Sequence, residues 1–296
     1  MDTDVLYCCK LFDNSTDPNI TTEFLNTLEI QFSTIWDKEN KFNNYHVIYS
    51  DTEEKSETIA TILKNKKEEW KEFDIFIDNI STFSIKQEEW AEVWKKYFTI
   101  EHITDRIVIK PTWLEYKAKQ NDIVLEIDPG MSFGTGKHPT TSFCLKMLDK
   151  LSNELKSASY LDAGSGSGIL SIAAYKLGYS PISAFDIDEK AVEISKDNFN
   201  DNKIPETAIN VQVAELAIFA QTAEQFDLVN ANMLSHILLE NSKTIISFMK
   251  PDGYLILAGI LNTKYCEFSK QFCDLGLVEV ETLIDKEWQA GLFKKK

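Results

Sequence analysis

Metal ligands and disulfide-forming residues are scarce in this 296-residue sequence. Its five cysteines include no C-x-x-C pair and its four histidines are scattered, which argues against a zinc site, a disulfide framework and a metal cluster. The sequence also lacks an apolar run of about 18 residues and a basic-then-apolar N-terminal segment, so we predict neither a membrane span nor a signal peptide. We expect a reduced, cytoplasmic protein without a bound metal.

Positive charge is scarce as well, since 31 Lys and Arg stand against 47 Asp and Glu, for a formal net charge of −16. Nucleic-acid binding depends on cations that contact phosphates, so DNA and RNA are poor candidate partners. A basic protein substrate would be attracted by the same charge. Many proteins are acidic for solubility alone, however, and charge therefore decides only between alternatives that are otherwise equal.

The N-terminal part of the chain alternates apolar runs with polar helical stretches. Strands are predicted for VLYCCKLF, NYHVIYSD and EFDIFIDN, which are rich in Val, Ile, Tyr and Phe. Helices are predicted for ITTEFLNTLEIQF and ETIATILKNKKEEW. Together these elements indicate a small α+β domain over residues 1–82, with a ferredoxin-like β-α-β-β-α-β order. A linker over residues 83–98 follows, in which QEEWAEVWKKYF is predicted to form an amphipathic helix with its aromatic residues on one face.

From residue 99 onward, strands alternate regularly with helices. After two leading strands, RIVIKPTW and DIVLEID, the predicted strands are ASYLDAG, ISAFDID, AINVQVAE, FDLVNANML, GYLILAGIL, LVEVETLID and WQAGLFKK. This alternation indicates β-α-β units around a parallel sheet, which a final strand pair completes into a doubly wound α/β domain over residues 99–296. Open sheets of this kind bind ligands at the carboxyl ends of their strands.

A glycine-rich turn lies at the end of the first of these strands. The segment LDAGSGSGIL places Gly164, Gly166 and Gly168 directly after a strand and before a helix, preceded by Asp162. Glycine allows a backbone to turn tightly and to approach a ligand closely. A dinucleotide fingerprint, G-x-G-x-x-G, would require glycine where Ile169 stands, so NAD is disfavoured.

Asp186 ends the next predicted strand, 18 residues after Gly168. A carboxylate at this strand end can accept hydrogen bonds from both hydroxyls of a ribose, although Asp also ends strands because it favours turns. Ile187 is then placed to pack against an adenine, and Glu215, which ends a third strand, to reach the adenine edge. A nucleoside-binding site that lacks a pyrophosphate-binding loop fits a ligand in which an adenosyl group is joined to an amino acid, as in S-adenosylmethionine.

The segment DPGMSFGTGKHPTT, residues 128–141, at first suggests a phosphate-binding loop. The nucleotide motif G-x-x-x-x-G-K-[ST] requires glycine at position 131 and a hydroxyl residue after the lysine. Met131 and His138 occupy these positions, so the segment is not a nucleotide loop.

Several segments together resemble the ribosomal large-subunit protein eleven (L11) methyltransferase family, a family of protein-lysine methyltransferases. They are DPGMSFGTGKHPTTSFCLKML, YLDAGSGSGILSIAAYKLG, AFDIDEKAV, VNANML and KPDGYLILAGIL, within residues 88–290. The F-G-T-G-x-H-x-T-T loop is the most distinctive of them. The resemblance implies a small N-terminal substrate-recognition domain and a Rossmann-like, seven-stranded class I S-adenosylmethionine-dependent methyltransferase domain.

The resemblance also assigns roles to individual residues. The second threonine of H-P-T-T contacts the cofactor in this family, which points to Thr141; a hydroxyl at a helix N-terminus suits the methionine carboxylate. The competing interpretation is that Thr140 or Thr141 caps the helix. Asn232, in VNANML, matches the position that holds the reacting amine, and Asn230 on the same strand face is the competing candidate. The predicted cofactor residues are Thr141, Gly164, Gly166, Asp186 and Asn232, of which Asn232 is also the predicted catalytic residue.

The expected reaction is methylation of lysine side chains, and of the N-terminal amine, in L11 by a monomeric enzyme. An acceptor lysine must first lose a proton, because its pKa is near ~10.4; His138 either relays that proton or stabilises its loop, and Lys137 has no assigned role. Three alternatives stay open: the same fold acting on another protein, a small molecule or RNA; a non-catalytic S-adenosylmethionine-binding protein; and a dinucleotide-dependent oxidoreductase, which Ile169 disfavours.

Overall fold

The computed structural model describes residues 5–15, 21, 25, 32–36, 44–86, 99–128 and 138–296. The chain divides into two compact units, Met1–Phe98 and Thr99–Lys296. The helix predicted over residues 87–98, the F-G-T-G loop and Lys137 lie outside the described residues. In the part of the chain that is described, no helix has the length and apolar character needed to cross a membrane.

The N-terminal unit contains a four-stranded antiparallel sheet in the order β2-β3-β1-β4. Its elements are β1 Val5–Asp13, β2 Phe32–Trp36, β3 Asn44–Ser50, α1 Glu53–Trp70, the 3-10 turn Lys71–Phe73 and β4 Ile77–Lys86. Helix α1 begins where Thr52 accepts a hydrogen bond from the Lys55 N–H, and Ala60 and Leu63 are among its residues buried against the sheet. The strand order is that of the predicted ferredoxin-like arrangement.

Two element boundaries in this unit differ from the sequence prediction. The helix predicted for ITTEFLNTLEIQF includes Thr21 and Leu25, both helical, but β2 already starts at Phe32 and was not predicted. The strand predicted for EFDIFIDN starts only at Ile77, because the preceding 3-10 turn ends at Asp74 in a left-handed conformation with φ 59°. A short turn with apolar residues was thus mistaken for the beginning of a strand.

The C-terminal unit is built on a seven-stranded sheet in the order β10-β9-β8-β11-β12-β14-β13. Its strands are β8 Tyr160–Ala163, β9 Ile182–Asp186, β10 Ile209–Val213, β11 Phe226–Asn232, β12 Met249–Leu261, β13 Leu277–Asp285 and β14 Trp288–Lys295. The five strands from β10 to β12 are parallel, and β14 runs antiparallel to both of its neighbours, β12 and β13. This arrangement confirms the predicted α/β fold. The order reverses between β8 and β11, which is where doubly wound sheets bind their ligands.

Helices cover both faces of this sheet. They are α2 Pro139–Leu151, α3 Ile169–Leu177, α4 Glu189–Asp201, α5 Leu216–Phe219, α6 Ser235–Glu240, α7 Ser242–Ser247 and α8 Asn262–Asp274. Alternate strand residues separate two cores, because Tyr160 and Leu228 pack with α2 and α3, whereas Leu161 and Val229 pack with α6, α7 and α8. The segment HILLENSKTIISFMK lies between two predicted strands, where their alternation with helices predicts one helix; it forms the two helices α6 and α7 and ends in β12.

A smaller three-stranded sheet precedes the large one. It consists of β5 Glu101–His102, β6 Ile107–Lys110 and β7 Ile123–Glu126, with β6 and β7 parallel. The last two of these are the predicted leading strands. The start of α2 lies at the carboxyl edge of the large sheet, because His138 packs against Trp288, which pairs with Leu261 at the end of β12.

Candidate cofactor and methyl-acceptor site

The glycine-rich turn joins β8 to α3 as predicted. Gly164, Gly166 and Gly168 all have positive φ angles, of 77°, 53° and 76°. The N–H groups of Gly164 and Ser165 both donate to the carbonyl oxygen of Phe185, at 2.9 and 3.0 Å, which fixes the turn against the end of β9. The turn therefore presents its backbone at the carboxyl edge of the sheet.

Helix α4 holds this turn from the other side. The Ser195 hydroxyl donates to the carbonyl oxygen of Gly166 at 2.9 Å, and the Asn198 amide donates to that of Ser167 at 2.7 Å. A Cβ at Gly168 would lie 2.7 Å from a ring carbon of Phe199, so the close packing requires glycine there. Ser195, Asn198 and Phe199 were missed in the sequence, where their only signal is the spacing of one helix face.

Asp186 lies beside the glycine turn, at the end of β9. Its Oδ2 accepts the N–H of Gly166 at 2.8 Å and its Oδ1 accepts that of Asp188 at 3.0 Å. A carboxylate offers about four acceptor positions, so two remain for other donors. The structure thus brings together two elements that the sequence connected only by their distance along the chain.

An apolar and acidic rim follows Asp186. Ile187 is 69% exposed, and Val213, the partner of Asp186 on β10, is 52% exposed. The N–H of Ala214 donates to the Asp186 carbonyl oxygen at 2.9 Å, and Glu215 is exposed at the start of α5. Exposed aliphatic side chains next to a carboxylate suit a flat heterocycle such as adenine, and the adenine contacts of Ile187 and Glu215 stay predictions.

Thr141 lies in the first turn of α2 and is 1% exposed. The helix is capped by His138, which accepts from the Thr140 N–H, and the Thr140 hydroxyl lies 2.7 Å from His138 Nδ1. The alternative in which Thr141 itself caps the helix is therefore wrong. Within the described residues the Thr141 Oγ1 makes no hydrogen bond, so this buried hydroxyl has its bonding capacity free for a ligand.

A second set of buried polar atoms lies at the ends of β8 and β11. Asp162 and Asn230 are opposite each other on these strands and both are 0% exposed. The Ser171 hydroxyl donates to Asp162 Oδ2 at 2.7 Å, whereas Asp162 Oδ1 and both amide atoms of Asn230 lack a hydrogen-bond partner among the described residues. Burial raises the pKa of Asp162 to about 7, and the hydrogen bond from Ser171 partly opposes this effect.

Of the two asparagines Asn230 and Asn232, only Asn232 is accessible to solvent. It is the last residue of β11 and is partly exposed, while Asn230 is fully buried two residues earlier. The two side chains point to the same face of the sheet, toward α2. The partly exposed Asn232 is open to a substrate, whereas Asn230 is buried beside Asp162, which favours Asn232 among the two predicted candidates.

These features match a known family of proteins. The chain matches the family model described as Ribosomal protein L11 methyltransferase (PrmA) over residues 16–296. It is 35% identical over 251 residues to the ribosomal protein L11 methyltransferase of Fusobacterium nucleatum, covering 84% of this chain and 77% of that protein. It is 40% identical over 222 residues to that of Geotalea uraniireducens, covering 71% and 69%. The chain belongs to the ribosomal protein L11 methyltransferase family.

A solved structure of a similar protein shares the fold. The crystal structure of ribosomal protein L11 methylase from Lactobacillus delbrueckii subsp. bulgaricus has a TM-score of 0.60 and 28% identity, and covers 67% of this chain and 100% of that chain. The family predicted from the sequence is thereby confirmed. The predictions of an S-adenosylmethionine-dependent methyltransferase and of a ribosomal protein substrate agree with membership of the L11 methyltransferase family.

The buried atoms of the site fit S-adenosylmethionine. Buried polar groups are nearly always hydrogen-bonded, so the free Asp162 carboxylate oxygen and Thr141 hydroxyl call for a polar ligand. The amino acid part of the cofactor carries one ammonium and one carboxylate, which are complementary to these two groups. Among the described residues no group of three or more His, Cys, Asp or Glu side chains could hold a metal ion.

The raised pKa of Asp162 predicts that the free energy of unfolding of the ligand-free protein depends on pH. Because the native carboxyl has a pKa of about 7 and an unfolded one about 3.9, the native state keeps a proton between these values that the unfolded state loses. Stability therefore falls as the pH rises through this window. As the pH rises from about 5 to about 8, the free energy of unfolding of the wild type should fall by on the order of 2 kcal/mol relative to that of Asp162→Asn.

Urea denaturation at the two pH values measures this difference. The Asn side chain still accepts from Ser171, so the hydrogen bond to Oδ2 is replaced rather than lost. Asp285→Asn, at an exposed carboxylate, is the control and should change the free energy of unfolding by less than about 0.5 kcal/mol. Equal pH dependence in wild type and Asp162→Asn would show that Asp162 is ionised freely in the native protein.

Proposed function

We propose that this chain transfers methyl groups from S-adenosylmethionine to amino groups of ribosomal protein L11, at lysine side chains and at the N-terminal amine. The observation that carries this proposal is the placement of Asp186 and Asn232 at the same sheet edge, on either side of the strand-order reversal. Asp186, with the glycine turn, supports nucleoside binding. The partly exposed Asn232 supports contact with an acceptor amine.

The cofactor is held by groups that differ in charge. The two remaining acceptor positions of Asp186 take the two ribose hydroxyls, and Ile187 covers one adenine face. Asp162 Oδ1 accepts from the methionine ammonium, which would also lower the pKa of this carboxyl. The Thr141 hydroxyl and the N-terminus of α2 bind the methionine carboxylate.

The cofactor supplies a sulfonium methyl group, which the acceptor nitrogen takes by direct displacement with S-adenosylhomocysteine as the leaving group. The protein contributes by orienting the acceptor amine relative to the cofactor. The Asn232 amide oxygen accepts an N–H of the amine and so aims the nitrogen lone pair toward the methyl carbon. No covalent intermediate with the chain is needed.

His138 has a supporting role in this proposal. Burial lowers its pKa, so the ring is neutral near pH 7, although Glu287 partly opposes the shift. Its Nδ1 is engaged with the Thr140 hydroxyl, and its ring packs edge-on against Trp288 with 4.9 Å between ring centroids. These contacts support a role in holding the start of α2 rather than in relaying the proton of the amine.

The acidic chain is suited to a basic protein partner. A net charge of −16 attracts a cationic substrate and repels nucleic acid, so we infer direct contact with L11 and none with RNA. We assign substrate recognition to the N-terminal unit, and infer that the enzyme acts as a cytoplasmic monomer.

Transfer of labelled methyl groups tests the proposal. The chain would be incubated with radiolabelled S-adenosylmethionine and ribosomal large-subunit proteins from a source that lacks this methylation. Label in the L11 band is expected. Label in a different protein would keep the activity and replace the substrate, whereas cofactor binding with no label in any protein would support a non-catalytic role.

A further inference from the structure

The turn that follows β11 lies between two glycines, Gly164 of the glycine-rich turn and Gly259 of β12. It consists of Met233 and Leu234, which directly follow Asn232, the last residue of β11. On one side the Met233 side chain covers the glycine-rich loop, since a Cβ at Gly164 would lie 2.9 Å from the Met233 terminal methyl carbon. On the other side, the Met233 backbone lies against Gly259 of β12.

The contact with Gly259 leaves no space for a side chain. A Cβ at Gly259 would lie 2.9 Å from the Met233 carbonyl carbon and closer still to its oxygen, well inside van der Waals contact. The residue has a φ of +92°, and the pairing of β12 with β14 is irregular between Leu257 and Ile260. A glycine inside a strand commonly marks such a bulge or a close approach of two backbones, and here it marks both.

This close approach bears on the position of Asn232. Asn232 pairs with Ala258, so the residue preceding Gly259 is the strand partner of the residue preceding Met233. The clash falls on backbone atoms, which cannot rotate away as a side chain can. Restoring an ordinary contact distance would shift the Met233 peptide by about 1 Å, and Asn232 is bonded directly to it.

We propose that Gly259 is a positioning residue for the methyl-transfer reaction, because its lack of a side chain lets the turn settle where Asn232 can orient the acceptor amine. This inference rests on the proposed function, in which Asn232 holds the amine. Gly259 does not touch the reacting atoms. It acts through the Met233 peptide.

The test compares two alanine variants with the same backbone strain. Gly178, at the end of α3, has a φ of +90° and no atom within 4 Å of a Cβ, so Gly178→Ala reproduces the strain without a clash. We expect Gly259→Ala to lower kcat by at least ~10-fold relative to Gly178→Ala, because a misplacement of about 1 Å can cost about 100-fold in rate. The Kd for S-adenosylmethionine, measured by calorimetry, should differ less than about threefold between them.

A double-variant cycle separates this inference from the proposed function. If Gly259 acts through Asn232, Gly259→Ala should have little further effect on kcat in an Asn232→Ala background. Full additivity, or equal kcat in Gly259→Ala and Gly178→Ala, would overturn the role of Gly259 while leaving that of Asn232 intact. An unchanged kcat in Asn232→Ala alone would instead overturn the proposed function of Asn232.

Loss of folding in Gly259→Ala would be recognised by circular dichroism. In that event the substitution would be made in a Met233→Gly background, where a more flexible backbone can yield to the new side chain. The comparison is then with Met233→Gly alone, and the added Gly259→Ala is still expected to lower kcat at least ~10-fold with little change in cofactor Kd. An unchanged kcat would contradict the positioning role.

Discussion

Replacement of Asn232 by alanine is expected to lower kcat for methyl transfer by about 100-fold or more, with little change in cofactor Kd. The substitution removes the amide oxygen that orients the amine, and orientation of reacting groups accounts for rate effects of this size. Asn232 is partly exposed at the end of its strand, so its loss leaves no buried group unpaired and costs little stability. Radiolabel transfer to L11 with saturating cofactor measures the change.

Two further variants identify the reason for such a loss. Asn232→Asp retains an acceptor oxygen of nearly the same shape, so it should recover part of the activity that alanine removes. Asn230→Ala changes the fully buried neighbour on the same strand face, and we expect it to alter stability and cofactor binding more than kcat. A large loss of kcat in Asn230→Ala with none in Asn232→Ala would exchange the roles of the two residues.

The fold could be predicted largely from local patterns. Each strand of the large sheet has an apolar run that a turn or a helix follows, and this alternation alone indicates a parallel sheet. Strand β2 was missed because its five residues directly follow a helical pattern with no turn residue between them. The break between α6 and α7 was missed for a similar reason, since Asn241 interrupts the helix without glycine or proline.

The site was predictable where its residues end strands and unpredictable where they meet across the fold. Gly164, Gly166 and Asp186 follow strands directly, so their common edge follows from the parallel order. The pairing of Asp162 with Asn230 depends on β8 and β11 being neighbours, although β9 and β10 come between them in the sequence. No local pattern specifies that strand order.

The same limit applies to supporting contacts. Ser195 holds the glycine turn from α4, and Gly259 accommodates the turn after β11 from β12. Each contact joins elements that are distant in the chain, and a shift of about one ångström in either element would break it. In the sequence, Ser195 is one polar residue of an amphipathic helix and Gly259 one glycine in an apolar run.

Replacement of Asp186 by alanine is expected to weaken binding of S-adenosylmethionine by at least about 100-fold. Hydrogen bonds to a charged acceptor contribute about 1.5–3 kcal/mol each, and alanine removes both bonds to the ribose. It also removes the acceptor for the Gly166 N–H, at 2.8 Å, so the glycine turn loses one of its attachments. Both effects act on the cofactor and neither acts on the amine. The KM for S-adenosylmethionine should rise with Kd, while kcat at saturating cofactor stays within a few fold of wild type.

Two related carboxylate variants distinguish the ribose contact from the support of the turn. Asp188→Ala removes the cap of α4 but no predicted ligand contact, so it controls for local loosening next to Asp186. Asp186→Asn keeps one acceptor oxygen but replaces the other by a donor, and should bind the cofactor with intermediate affinity. If Asp186→Ala and Asp188→Ala weakened the cofactor equally, the effect would come from the shared turn. A fall in kcat without a change in Kd would place Asp186 with the acceptor amine and remove the ribose assignment, because a residue that binds only the cofactor is compensated by a higher cofactor concentration.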